Sequence, residues 1–225
     1  MKRAFIFDLD GVLVFTDRFH YLAWKTVADE KNIFFDEKIN DRLRGVSRMD
    51  SLEILLERYD GPPLSEAEKM AMAEKKNEIY RSYIRKMRPC DVAPDVFATL
   101  HKLREKGFLL AVGSSSKNAG IILQRTKLRD CFDAVSDGNN ISRSKPDPEV
   151  FLAAAEMLKV APEECFVVED AAAGIAAARA AGMSAVGIGD AANCPTADFS
   201  IKSIGELLLL TEQNMQILTE QNMQM

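Results

Sequence analysis

Short apolar runs alternate along the chain with longer segments in which apolar positions recur every three or four residues. Residues 4-7 (AFIF), 108-112 (FLLAV), 133-136, 165-168 (CFVV) and 184-188 are such runs, each closed by a polar or glycine-containing turn. Uninterrupted apolar runs of this length predict strands buried on both faces, as in a parallel sheet. Between them, Asp95-Lys106, Glu149-Leu158 and the small-residue run Gly174-Ala181 have helical character. Strand and helix in alternation predict an α/β fold.

Residues from about 17 to 87 break that rhythm. Phe19, Leu22, Ala23, Val27 and Ala28 recur at helical spacing. Gly61-Pro62-Pro63 marks a turn, and Ser65 with Glu68 forms an S-x-x-E capping box ahead of a helix predicted to reach Met87. The expected organisation is an α/β core built from 1-14 and 92-210, a helical insertion at 15-91 joined by linkers near 13-17 and 88-94, and a tail at 211-225. The tail carries TEQNMQ at 211-216 and again at 219-224. At that separation the two copies fall about 80° apart around a helix, so they make no apolar stripe.

Composition narrows the function classes. A chain of 225 residues with 47% hydrophobic and 28% charged residues is ordinary for a folded protein with one sizeable core and a smaller second one. Its formal net charge of -5 argues against nucleic-acid and anionic-membrane partners, which call for a basic face. No stretch approaches the roughly 18 apolar residues of a membrane span, and Asp8 interrupts AFIF too soon for a signal peptide. Cys90, Cys131, Cys165 and Cys194 are scattered, without a C-x-x-C pair, which predicts reduced thiols in a cytoplasmic protein. No oligomer signature is visible, and a monomer is expected.

Candidate chemistry lies where the strands end. AFIF runs into Asp8-Leu9-Asp10-Gly11, and side chains two apart on an extended segment point the same way, so both carboxylates face one site while Gly11 permits a sharp turn. Alone, D-x-D-G equally describes an Asx-turn that ends a strand. After FLLAV, Gly113-Ser114-Ser115-Ser116-Lys117-Asn118 leads into a helix and can offer hydroxyls, backbone N–H groups and one ammonium to a phosphate. Ser144-Lys145-Pro146 places a cation before a proline suited to a first helical turn. CFVV runs into a second acidic pair, Glu169-Asp170. Together the four loops hold a carboxylate nucleophile, acidic ligands suited to Mg²⁺, donors and a cation, which are the parts phosphoryl transfer requires.

The ordered set DLDG (8-11), GSSSKN (113-118), SKPDP (144-148) and VVEDAAAGI (167-175) resembles the haloacid dehalogenase superfamily of phosphotransferases, over essentially residues 1-190. The resemblance implies a Rossmann-like parallel-sheet core with an inserted small helical cap domain. It also implies that Asp8 becomes an aspartyl-phosphate, that Asp10 is the general acid/base, and that Lys145 and Ser114 hold the phosphoryl group, with Ser116, Lys117 and Asn118 completing the phosphate loop. Mg²⁺ would be bound by Asp8, Asp10, Glu169 and Asp170, Asp10 through its backbone carbonyl. Dehalogenases need neither the metal set nor the second aspartate, so that branch is disfavoured.

In the cap, His20 and Trp24 of FHYLAWK, the run Arg44-Gly45-Val46-Ser47-Arg48, then Ser51 and Lys76, resemble the β-phosphoglucomutase family. That resemblance implies phosphate binding by Arg48, substrate contacts from Ser51 and Lys76, and support of the acid/base step by His20. The substrate would be a sugar phosphate, with glucose 1,6-bisphosphate as activator and intermediate. Each residue has a plainer reading: Trp24 as cap core, His20 as a packed histidine, Lys75-Lys76 as a solvated helix face. The alternatives to a mutase are a sugar-phosphate phosphatase, with water as acceptor, and a non-catalytic sugar-phosphate sensor. The chain departs from the family pattern at Val14-Phe15, at Ala171, where serine is frequent, and at Arg44, where lysine is usual.

Overall fold

The computed structural model describes residues 2–43 and 46–211, which fall into two compact units. One is drawn from Met1–Phe15 and Arg88–Met225, the other is Thr16–Met87. The TEQNMQ repeat, beyond its first threonine, lies outside the described residues.

The first unit is built on six parallel strands in the order β3-β2-β1-β4-β5-β6. They are β1 (Ala4–Phe7), β2 (Leu109–Gly113), β3 (Ala134–Ser136), β4 (Cys165–Glu169), β5 (Ser184–Gly187) and β6 (Phe199–Ser200). The fold is α/β and Rossmann-like. β1 is central, with Phe7 in register with Val112 on one side and Val168 on the other. All four residues of β1 are fully buried, which accounts for a run with no polar alternation. Burying each of Phe5, Ile6 and Phe7 contributes on the order of 1.5–3 kcal/mol. Rings from neighbouring strands pack directly, Phe5 lying 5.0 Å from both Phe108 and Phe166. β6, absent from the sequence expectation, has only two residues, one of them an exposed serine, so it carries no apolar run to read.

The helices of this unit include α5 (Pro94–Glu105), α6 (Ala119–Thr126), α7 (Glu149–Leu158) and α8 (Ala172–Ala180). They are preceded in the chain by α1 (Asp17–Glu30), α2 (Glu37–Asp41), α3 (Arg48–Leu56) and α4 (Glu66–Ile84) of the second unit. α8 starts two residues ahead of the expected Gly174, and α4 stops three short of Met87.

In the second unit every regular element among the described residues is a helix. The capping box closes as expected: the Ser65 N–H donates to Glu68 Oε2 at 2.8 Å and the Ser65 hydroxyl accepts from the Glu68 N–H. The buried stripe of α1 is Ala23, Trp24, Val27 and Ala28, packed with Leu52, Leu55, Met72 and Ala73. Phe19 and Leu22, expected in that stripe, lie at its half-buried margin. No helix among the described residues is long and apolar enough to cross a membrane.

Candidate active site

Where the strand order reverses, between β1 and β4, the carboxyl ends of neighbouring strands open a crevice, the usual ligand position in such sheets. Asp8 follows β1 directly, and its N–H donates to Val168 O at 2.9 Å. Glu169 ends β4 and Asp170 follows it. Asp8 and Glu169 are buried, Asp170 partly so, and one carboxylate oxygen from each lies within 4.8 Å of the others. Lys145, from the loop between β3 and α7, donates through Nζ to Asp8 Oδ1 and to Glu169 Oε1, each at 2.5 Å.

The Asp10 carboxylate is not part of that three-carboxylate group, although its charge helps to raise the Asp170 pKa. The turn after Asp8 is tight: Gly11 N–H donates to Val14 O at 2.7 Å, and Leu13 and Val14 both donate to Leu9 O. Gly11 has φ +87°, and a Cβ there would fall 1.9 Å from Asp170 Oδ2. Glycine is thus required twice over, by the backbone and by its acidic neighbour.

Concentrated negative charge sets the electrostatics. Burial pushes the Asp8 carboxyl well above its ordinary value, Glu169 and Asp170 add to the shift, and Lys145 opposes it. Asp170 is pushed up to about 7 by burial and then by Glu169. Burial disfavours the Lys145 ammonium, but Asp8 and Glu169 outweigh it and raise the lysine above its usual value. An oxygen-only set of crowded carboxylates, in which Asp8 and Asp170 resist ionisation, fits a hard divalent cation, which relieves the repulsion.

The serine loop differs in detail from its expected use. Ser114 is buried, and its N–H donates to Ser136 O. The N–H groups of Ser116 and Asn118 donate to the hydroxyls of Ser114 and Ser116, each at 3.2 Å, so those two N–H groups are already engaged inside the loop. Lys145 N–H donates to Ser115 Oγ at 3.4 Å, linking this loop to the lysine loop. Lys117 is exposed and Asn118 buried. Pro146, expected at a helix start, instead follows a cis peptide bond, and Pro148 precedes α7.

The cap residues form a cluster of their own. Lys76, read in one alternative as a solvated charge, is buried at 4% exposure. Its Nζ lies 2.8 Å from His20 Nδ1 and about equally far from the Trp24 and Tyr80 rings, 5.0 and 5.1 Å from their centroids. An ammonium can only donate, so Nδ1 accepts and a neutral His20 carries its hydrogen on Nε2. Burial, Lys76 and Arg48 together hold the His20 pKa well below the usual histidine value. Trp24 belongs to the cap core. Arg48 begins α3 and reaches Glu74 at 3.3 Å. Ser47 caps that helix and donates to Asp50 Oδ2, Ser51 is buried one turn on, and Val46 is exposed. Arg44 and Gly45 lie outside the described residues. Tyr80, missed from sequence, sits four residues after Lys76 on α4; its ring packs 4.1 Å from that of His20 and its hydroxyl lies 3.1 Å from Thr16 Oγ1. The i, i+4 spacing was the available signal.

A family model described as haloacid dehalogenase-like hydrolase matches residues 2–182. The chain belongs to the haloacid dehalogenase-like hydrolase family. Within that family it is 41% identical to a β-phosphoglucomutase of Bacillus subtilis, over 92% of each chain. It is 30% identical to a phosphorylated carbohydrates phosphatase of Thermotoga maritima, over 81% of this chain and 83% of that one. The crystal structure of a β-phosphoglucomutase from Clostridium difficile superposes with a TM-score of 0.86 at 37% identity, covering 97% of this chain and all of that one. Asp8, Ser114 and Glu169 at the strand ends of this haloacid dehalogenase-like enzyme, with Lys145 from the loop between β3 and α7, come from the four sequence motifs.

Proposed function

We propose that the enzyme is a β-phosphoglucomutase, interconverting β-D-glucose 1-phosphate and glucose 6-phosphate through an aspartyl-phosphate and glucose 1,6-bisphosphate. The observation that carries this reading is the 41% identity to a mutase over 92% of the chain, a span that must include most of the helical unit as well as the core. Asp8 is the phosphoryl carrier and Asp10 the general acid/base. Phosphorylated Asp8 passes its phosphoryl group to the sugar 6-hydroxyl: the Asp8 oxygen–phosphorus bond breaks, the new ester bond forms, and Asp10 takes the hydroxyl proton. In the second half the Asp8 carboxylate attacks the 1-phosphate, and Asp10 returns its proton to the departing sugar oxygen.

Lys145 opposes the upward push that burial gives the Asp8 carboxyl and offers a cation to the transferred group, with the Ser114 hydroxyl beside it in this scheme. Mg²⁺, held by Asp8, Glu169, Asp170 and the backbone carbonyl of Asp10, would supply charge neutralisation for the phosphoryl oxygens. In the cap, Arg48 and Lys76 are the cations proposed to engage the sugar phosphate, and His20 presents an Nε2 donor. Four free thiols, the state a reducing compartment maintains, support a cytoplasmic enzyme.

The Thermotoga maritima relative favours a second reading, hydrolysis of a sugar phosphate with water as acceptor. One assay separates the two. With β-glucose 1-phosphate, Mg²⁺ and a trace of glucose 1,6-bisphosphate, the mutase forms glucose 6-phosphate far faster than free phosphate. Rapid phosphate release without glucose 6-phosphate refutes the mutase and assigns the phosphatase.

A further inference from the structure

We propose that Gly174 is a positioning residue for the metal-binding acid pair: its bare Cα, on the first turn of α8, is the seat against which the Glu169 carboxylate is held. The helix reads AAGIAAARA. In a run of the strongest helix former, a single glycine weakens the element it sits in. Its backbone gives no reason for it, since Gly174 is not among the glycines with positive φ. The reason is a side chain. A Cβ at 174 would fall 2.0 Å from both Glu169 Cδ and Oε1, and 2.5 Å from Cγ, well inside any tolerable contact. Gly120, also on a helix of this unit, has nothing within 4 Å of the same construction, so helical glycines here are not crowded as a rule.

Glu169 is consequently fixed from three sides. Its Oε2 accepts the Ala171 N–H at 3.0 Å, its Oε1 accepts Lys145 Nζ, and its carboxyl carbon lies over the bare Cα of Gly174. The first of these contacts also satisfies an N–H at the start of α8, whose Ala171 cap position supplies no side-chain bond of its own. Glu169 is thus a ligand set in place before any cation arrives, and adding one methyl group at 174 must push its carboxylate out of that position. Gly11 does the same for Asp170, but there the positive φ already demands glycine, so Gly174 is the position at which the effect stands alone.

The inference rests on the Mg²⁺ reading of the acid set, and the test is Mg²⁺ binding by calorimetry on the full chain. Gly174→Ala is expected to weaken Mg²⁺ binding about 10–100-fold, the usual scale for disturbing the support of a metal ligand, while Gly120→Ala leaves it unchanged. Equal Mg²⁺ affinity in Gly174→Ala and wild type overturns the role of Gly174 alone. A wild-type chain that binds no Mg²⁺ overturns the Mg²⁺ reading and this role together. Melting in EDTA completes a cycle that does not need the single variant to be active. Gly174→Ala should lower the melting temperature when Glu169 is present and leave it unchanged or raise it in a Glu169→Ala background, where the seat is empty. An equal loss in both backgrounds overturns the proposal.

Discussion

Replacing Lys145 by methionine removes one positive charge from the centre of the acidic cluster and little else. The two side chains are similar in length, and a thioether can keep the contact that Lys145 now makes 4.7 Å from the Phe151 ring centroid. Lys145 contacts Asp8 and Glu169 at 2.5 Å each, with side-chain exposures of 9%, 11% and 2% for the three residues, so solvent cannot take over its task. Breaking a buried pair by deleting one partner costs about 3–5 kcal/mol, because the surviving charge is left uncompensated. For a chain of this length that corresponds to a melting temperature lower by roughly 6–20 °C without metal. Mg²⁺ should restore part of the loss, since it neutralises the same carboxylates. Turnover should fall by about 10²–10³-fold even at saturating Mg²⁺, the usual cost of losing one charge-stabilising group. Glucose 6-phosphate formation and thermal melts, each with Mg²⁺ and with EDTA, read both effects. Near-normal turnover would remove Lys145 from the catalytic machinery, and an unchanged melt in EDTA would refute the electrostatic account of the cluster.

Two further outcomes follow from the titrating groups. Asp170, at about 7 in the fold against about 3.9 in an unfolded chain, binds more protons folded than unfolded across that window. Metal-free stability should therefore fall from about pH 4 to about pH 7 relative to Asp170→Asn, which lacks this titration, and a parallel pH profile for the two proteins would contradict it. In the cap, Lys76→Met should move the His20 pKa up towards its ordinary value, since a like charge 2.8 Å away is removed. The chain has only two histidines, so ring NMR resolves them; a His20 that does not move in Lys76→Met would show that the lysine is not holding it neutral.

The strand-end residues were legible because of how a parallel sheet is made. AFIF, FLLAV and CFVV lie buried on both faces, so they show as unbroken apolar runs, and the polar residue that ends each run stands at the rim where ligands bind. Asp8, Ser114 and Glu169 are read off in that way. Lys76 was ambiguous because a lysine on a helix is solvated by default, and its burial depends on Trp24, Tyr80 and His20, which only tertiary packing assembles. Pro146 was misplaced because helix-starting prolines and loop prolines share a composition, and only the chain path decides between them. Gly174 was hidden inside a run of small residues: a missing methyl group acquires meaning only when its neighbour in space is known.

The central place of β1 has a consequence for how the molecule is made. This strand is made before the other strands of its sheet and stays unpaired until its partners β2 and β4 are synthesised, the first more than a hundred residues later. Asp8 waits for Lys145, 137 positions down the chain. The helical unit emerges in the meantime as one contiguous stretch, with an apolar cluster running from Trp24 to Ala73 that needs nothing made after it. Pairings of such long range form slowly, whereas local helical contacts form fast. Synthesis is thus ordered so that the helical unit can fold early, while a nascent chain that has not yet reached β4 holds Asp8 without the acid pair Glu169-Asp170 that stands beside it in the fold.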